Sequence, residues 1–278
     1  MKIAIASGKG GTGKTTVATS LAHVASCAGR LVAYLDCDVE EPNGHIFLKP
    51  HIEETRPIDK LVPVIDPKRC IHCGVCARIC RYGALASLPN ETLVFPELCH
   101  ACGYCSLVCA AEAVREEPRP IGELRLGHAN GVKFLDGALN VGEAMSPPAI
   151  RAVKAAVPEA ADLVVLDAPP GTSCPVVETL RGCDLVVLVT EPTPFGLHDL
   201  SLAVEMVRAM RLPLGVVVNR ADLGDGRVRD YCDGHRVPLL AEIPDERAIA
   251  EAYSRGELIA EAIPHFAQRM HDLLIRIQ

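Results

Sequence analysis

One stretch near the N-terminus, Gly8-Lys9-Gly10-Gly11-Thr12-Gly13-Lys14-Thr15, constrains this chain more than any other. It follows a short apolar run (KIAIAS, residues 2–7) and precedes a helical pattern from Thr15 to about Ala28. In that strand-loop-helix setting the spacing G-x-x-x-x-G-K-S/T is a phosphate cradle. Glycines let successive backbone N–H groups converge on phosphate oxygens that side chains would block. The helix beginning near Lys14 turns its positive end toward the same anion. Lys14 is placed to reach the β- and γ-phosphates, and the Thr15 hydroxyl to sit on Mg²⁺.

The remaining apolar runs agree with such a loop. Leu31–Asp36, Asp162–Asp167, Asp184–Thr190, Pro213–Asn219 and Pro238–Ile243 read as strands, mostly separated by helix-length segments. That alternation predicts an α/β fold with a mostly parallel sheet covered by helices on both faces. Ser146-Pro147-Pro148 reads as a helix opening, with Ser146 as N-cap and the helix over Ala149–Ala156. Residues 121–140 read as a return hairpin turning at Ala129-Asn130-Gly131, and two helices close the chain. Hydrophobic residues make up 49% and aromatics only 4%, with no Trp, so the core must be built from Ala, Val, Leu and Ile. The terminal helix carries an apolar stripe of Phe266, Met270, Leu273, Leu274 and Ile277. It has too few cations for a membrane-surface helix and is expected to pack on the sheet.

Asp167 ends the run LVVLD, as a magnesium-facing carboxylate does, and Asp36 and Asp38 follow the second strand, where a nucleophilic water must be oriented. A net charge of −7 argues against a broad nucleic-acid face. No apolar run approaches the roughly 18 residues that cross a bilayer, so no stable membrane insertion is expected. With too short an apolar start for an export signal, a cytoplasmic protein is expected.

From Leu61 to Pro118 the periodic patterns stop and cysteine, glycine and proline dominate. Of thirteen cysteines, eight lie between Cys70 and Cys109. They form two C-x₂-C-x₂-C-x₃-C runs in a repeat of 29 residues, which also matches Pro67 with Pro96, Gly74 with Gly103 and Ala84 with Ala113. Clustered thiols in a reducing compartment are metal ligands rather than disulfides. Zinc would prefer a single tetrahedral set and leaves the evenly spaced triplets unexplained. The spacing is that of a two-cluster ferredoxin, in which the fourth cysteine of each run serves the other cluster. The expected 4Fe-4S ligand sets are Cys70, Cys73, Cys76 and Cys109, and Cys80, Cys99, Cys102 and Cys105. Arg81 and Ala110 stand where such runs usually carry proline. His72 and His100, inside the cysteine loops, are expected to be exposed rather than ligating. Flanking prolines (Pro57, Pro63, Pro67, Pro118, Pro120) suggest stiff hinges. The expected division is therefore a discontinuous core, 1–60 and 119–278, with a small α+β bacterial-ferredoxin-like insert at 61–118. The other cysteines, Cys27, Cys37, Cys174, Cys183 and Cys232, read as inert thiols, and Cys174, in DAPPGTSC, has a second reading as an interfacial thiol.

A second lysine within the phosphate loop, Lys9, resembles the deviant Walker A motif of the MinD/ParA/nitrogenase-iron-protein class of P-loop ATPases. The whole chain is similar to MinD-superfamily ATPases with an inserted ferredoxin domain, through SGKGGTGKTT, LDCDVEEPN, the double cysteine run, LDAPPGTSCP, VTEPTPFGLHDL, VVNRAD and IPDE. The resemblance implies an ATP-sandwich homodimer in which Lys9 contacts the partner's nucleotide. It implies ATP contacts from Gly8 through Thr16, with Asn219 and Arg220 near the adenine and Pro244 and Asp245 on its rim. Mg²⁺ would be held by Thr15, Asp38 and Asp167, with Asp38 also orienting the water and Asp36 supporting it. Hydrolysis of ATP would then drive electron transfer to an unidentified redox or client protein, iron–sulfur cluster delivery in the manner of the Mrp-type carriers, or MinD/ParA-like positioning with redox-sensing clusters.

Overall fold

The computed structural model describes residues 1–277. Strand β1 (Lys2–Ala6) runs through the glycine loop into α1 (Lys14–Cys27). Strand β2 (Val32–Asp36) is followed by a short α2 (Gly44–Leu48) and the long β3 (His51–Ile65). The cysteine-rich segment then contributes α3 (Val75–Ile79), β4 (Leu85–Ser87), β5 (Thr92–Val94) and α4 (Tyr104–Leu107). Strand β6 (Val114–Ala129) returns and turns into β7 (Val132–Leu139). The rest alternates: α5 (Ser146–Ala155), β8 (Leu163–Asp167), α6 (Cys174–Leu180), β9 (Leu185–Thr190), α7 (Pro194–Ala209), β10 (Leu214–Asn219), α8 (Arg227–His235) and β11 (Leu239–Ile243). Three helices close the chain, α9 (Arg247–Ser254), α10 (Ile259–Ala262) and α11 (Pro264–Arg276), one more than expected.

A nine-stranded sheet has the order β11-β10-β9-β1-β8-β2-β7-β6-β3. Every pairing from β11 to β7 is parallel; β6 alone runs the other way, pairing antiparallel with β7 and with the edge strand β3. Strand β1 lies in the interior of the sheet, so its glycine loop emerges between neighbouring strand ends, where such sheets bind ligands. Runs such as LVVLD are buried along their whole length because helices cover both faces. One face packs Val17, Leu21, Phe266, Met270 and Leu273 from α1 and α11. The other packs Ile150, Val153, Leu180, Leu200, Val204 and Val228 from α5 to α8. As expected, α11 docks on the sheet domain, and its cations satisfy main-chain oxygens of β11: Arg276 donates to Leu240 at 2.7 Å and Arg269 to Glu242 at 3.3 Å. No helix among the described residues is long and apolar enough to cross a membrane.

Two expectations change. Ser146 is not the N-cap of α5, which is Met145; its hydroxyl donates instead to the Glu40 carboxylate on the loop after β2. Four of the five prolines flanking the cysteine segment lie within strands rather than at hinges, and Pro67 lies in the turn after β3. Strands β3 and β6 pair without interruption in chain order from His51↔His128 to Ile65↔Val114, apart from two local register shifts, and cross both expected domain borders. Pro57 and Pro63 lie in β3, the edge strand, and Pro118 and Pro120 lie where β6 has run past the end of β7 at Gly122↔Leu139. Each is therefore on a strand with one open side, where a missing N–H need not break a ladder. The return hairpin turns at Asn130-Gly131, whose φ values of 47° and 81° are those of the tight turn favoured by Asn-Gly.

Candidate functional site

The glycine loop, the loop after β2 and the β10 and β11 ends enclose a cavity of about 430 Å³. Gly10, Gly11, Gly13, Lys14, Thr15, Thr16, Asp38, Asn219, Arg220, Pro244 and Asp245 all line it. Gly8, Lys9, Thr12, Asp36 and Asp167 do not. Two of these have visible structural reasons. A Cβ on Gly8 would lie 2.2 Å from the Asp199 carbonyl oxygen, so glycine lets the loop press on α7. Asp36 is fully buried and accepts from the backbone N–H groups of Asp38, Asn43 and Gly44 at 3.1, 3.0 and 2.8 Å. Its work is to hold the loop that carries Asp38. Asn219 also braces: its Nδ2 donates to the Thr12 carbonyl at 2.9 Å and lies 2.6 Å from where a Cβ on Gly13 would be.

Asp167, Asp36 and Asp136 stand side by side in register across β8, β2 and β7. Three adjacent buried carboxylates need separate compensation. Asp136 has it from Arg125, whose Nε donates at 2.9 Å and whose Nη2 donates to the other oxygen. Asp36 has its three N–H donors. Asp167 accepts from the buried Tyr34 hydroxyl at 3.1 Å, and its other oxygen, Oδ1, is buried with no partner. Such an oxygen is costly unless a cation or a hydrogen-bond donor meets it. Thr15 donates its proton to Asn43 Oδ1 at 2.9 Å, which leaves its own oxygen free to accept. These residues suit a divalent cation delivered with a nucleotide. Burial lowers the proton affinity of Lys14, opposed by Asp167, Asp38 and Asp36.

Burial, and for Asp38 also the Asp167 charge, pushes both carboxyls up to about 6. A cation held by these two carboxylates would require both ionised, so protons would compete with it increasingly as pH falls through 6. Mg²⁺-nucleotide affinity is expected to fall roughly tenfold between pH 7.5 and 5.5. Titration of a fluorescent ATP analogue at both pH values checks this; a flat response would remove these carboxylates from the cation site.

The second group of predicted residues lies at the far end of the β3–β6 ribbon. Cys70, Cys73, Cys76 and Cys109 line one small cavity, and Cys80, Cys99, Cys102 and Cys105 line another of about 140 Å³. All eight thiols are free. Among the described residues no three His, Cys, Asp or Glu side chains converge closely enough to hold a single metal ion. The thiols ring openings rather than meet at a point. The backbone repeats with the sequence: His72 and Ala101 have φ of 53° and 52°, Gly74 and Gly103 of 69° and 74°, and Gly83 and Glu112 of 66° and 48°. Left-handed non-glycine residues are uncommon and signal a conformation imposed by the surroundings. Amide donors face sulfur at Ala101 N to Cys99 Sγ, 3.4 Å, and Ala113 N to Cys109 Sγ, 3.2 Å. His100 is exposed and stacks on Tyr82 with ring centroids 3.5 Å apart, whereas His72 is half-buried with Nδ1 3.7 Å from Cys70 Sγ. Cys37, Cys183 and Cys232 are buried, and Cys27 and Cys174 are exposed, Cys174 at the first position of α6.

Sequence reasoning missed Asn43, Tyr34, Asp136, Glu191 and Tyr253. Asn43 closes the segment LDCDVEEPN and was within reach of the motif, whereas Tyr253, which lines the nucleotide cavity, is marked by no local pattern.

The model of the CobQ/CobB/MinD/ParA nucleotide binding domain matches residues 3–259, and the chain belongs to this family of P-loop ATPases. An uncharacterized protein of Methanocaldococcus jannaschii is 33% identical over 247 residues, 88% of this chain and 86% of that one. An iron-sulfur cluster carrier protein of Pyrococcus abyssi is 23% identical over 283 residues, covering 92% of this chain and 77% of that one. Among solved structures, the septum site-determining protein MinD of Pyrococcus horikoshii, complexed with Mg-ADP, shares the fold with a TM-score of 0.61 at 21% identity over 100% of this chain and 96% of that one.

Proposed function

We propose that this chain hydrolyses Mg-ATP between two copies of itself and uses the nucleotide state to control electron transfer through two 4Fe-4S clusters. The glycine loop and Lys14 would hold the phosphates, with Thr15, Asp38 and Asp167 as the Mg²⁺ ligands. The ion would neutralise charge developing on the β- and γ-phosphate oxygens. Asp38 orients the attacking water, and Lys9 adds a positive charge from the partner subunit. Cys70, Cys73, Cys76 and Cys109 would hold one cluster, and Cys80, Cys99, Cys102 and Cys105 the other, supplying one-electron chemistry.

The observation that carries the cluster assignment is the composition of the core of segment 66–113. Its buried side chains are few, Ala84, Leu85, Ala113 and two of the cysteines themselves. A unit of this size with so little apolar burial needs a staple, and its thiols are not joined in disulfides. The similarity to proteins named as iron-sulfur cluster carriers favours a second reading, in which the clusters are cargo. Two sets of four thiols, each lining a formed cavity, suit retention better than release.

The test is an EPR-monitored redox titration of anaerobically purified protein with and without Mg-ATP, joined to transfer of iron to an apo-ferredoxin. Electron gating predicts about eight irons per chain, retained against the acceptor, and a potential that moves by a readable amount, on the order of 59 mV for a tenfold change in the equilibrium. Rapid transfer would favour the carrier reading, and absence of iron would sink both. Cys109→Ser is expected to remove about half the iron and abolish the magnetic coupling between clusters. Iron analysis and EPR of the variant check the crossed ligation, because loss from the Cys80 set instead would contradict it.

A further inference from the structure

Lys9, the lysine that distinguishes this phosphate loop, does not point into the nucleotide cavity. Its Nζ lies 2.9 Å from Glu191 Oε2, on the loop between β9 and α7 of the same chain. The other carboxylate oxygen, Oε1, accepts from Arg220 Nη1, also at 2.9 Å, and Arg220 Nε lies 3.5 Å from Asp245. The Glu191 side chain is only 10% exposed, against 32% for Lys9. Both ends of the contact are built in. The Lys9 carbonyl accepts from Ser7 Oγ, and Gly8 presses on Asp199 of α7. On the other side, the Glu191 carbonyl accepts from Thr193 N at 2.8 Å and is so close to Gly196 that a Cβ there would meet it at 2.2 Å.

We infer that Glu191 is a positioning residue that latches Lys9 within its own subunit, and that releasing this latch sets the threshold for ATP-dependent dimerisation. The inference rests on the ATP-sandwich reading above. A lysine that serves the partner's nucleotide must first leave its local carboxylate, and a population held in the wrong arrangement weakens apparent affinity in proportion to the fraction held. The symmetric dimer contains two such lysines, so the effect enters twice. Arg220 and Asp245 line the nucleotide cavity, which connects the latch to its occupancy: a nucleotide that draws Arg220 away from Glu191 loosens one of the two cations on that carboxylate.

The test compares wild type with Glu191→Gln and Glu191→Asp by sedimentation velocity in Mg²⁺ and a non-hydrolysable ATP analogue, at low and high KCl. Glu191→Gln is expected to tighten the dimer by about tenfold or more, with ADP affinity rising by less than that as Arg220 is freed. Glu191→Asp, which keeps the charge, is expected to fall between the two. Lys9 is the more open end of the pair, so salt screens it in part, and the gap between wild type and Glu191→Gln should narrow as KCl rises. A general loosening of the loop would not produce that convergence. If wild type dimerises and Glu191→Gln dimerises equally or less well, the latch is wrong while the sandwich stands. If neither dimerises with the analogue, the sandwich reading fails and the latch falls with it.

Discussion

Exchange of Asp38 for asparagine is expected to slow ATP turnover by roughly a hundredfold to ten-thousandfold, the range for loss of a positioned acid–base group, while Mg-ATP binding weakens by about tenfold, as expected when a proposed cation ligand loses its charge. Asp38 lines the cavity beside the glycine loop, half-buried, on a loop pinned from both sides: its N–H donates to Asp36 at 3.1 Å and its carbonyl accepts from Glu41 N at 3.1 Å. Asparagine preserves that backbone and the side-chain shape but removes the carboxylate that would accept a hydrogen bond from water and hold it in line. Single-turnover hydrolysis of pre-bound ATP reads the step directly, and a loss below tenfold would take Asp38 out of the water-orienting role. The neighbouring exchange Asp36→Asn should behave differently. Asp36 accepts three backbone N–H groups, and an amide nitrogen turned toward donors cannot replace it, so binding and turnover should fall together.

The largest effect on stability is expected from Lys60→Met. Lys60 sits on β3 with its side chain fully buried, 2.6 Å from an equally enclosed Glu143 on the loop after β7. The other Glu143 oxygen meets Arg119 of β6 at 2.9 Å, and Arg119 reaches Glu97 in the cysteine segment at 3.1 Å. Removing Lys60 leaves the buried Glu143 with Arg119 alone, itself partly exposed, at a cost of about 3 kcal/mol, the low end for breaking a buried pair. For a chain of this size that lowers the midpoint by roughly 10 °C. Thermal unfolding of the full chain measures it, and a shift under about 2 °C would show that water reaches Glu143 when Lys60 is gone. The double exchange Lys60→Met with Glu143→Gln should recover part of the loss, because the under-compensated buried charge is removed while the partly exposed Arg119 keeps Glu97.

The parts of this molecule that local spacing can encode were legible from the chain alone. The strand, glycine loop and helix around Gly8–Thr15 follow from backbone requirements within one turn, and the repeat of the two cysteine runs is met in the fold by two cavities lined by four thiols each. The β3–β6 ribbon was not legible. HIEETRPIDKLVPVI carries charges, and its prolines read as hinges, because a two-stranded ribbon open on one side imposes little alternation; its strand character comes from pairing with residues far along the chain. Asp136 was silent for the same reason. It matters only because β7 lies beside β2 and sets a third carboxylate next to Asp36. Ser146 was misread because its local setting favours a cap while Glu40, distant in sequence, offers a stronger acceptor.

Ile65 and Val114 face one another across the last rung of the ribbon. The chain therefore leaves for the cysteine segment and returns from it at neighbouring points, about 5 Å apart as for any paired residues. In topological terms the segment is the turn of a β-hairpin that has grown into a body of its own. A tight two-residue turn, such as Asn130-Gly131 at the other end of β6, would close the same hairpin without altering the pairing of any strand behind it. An ancestor lacking the segment could acquire it in a single insertion, with every register in the nucleotide-binding sheet left as it was. The same continuity ties the segment's motion to the sheet edge, since tilting it must bend β6, two strands from the one that carries Asp36.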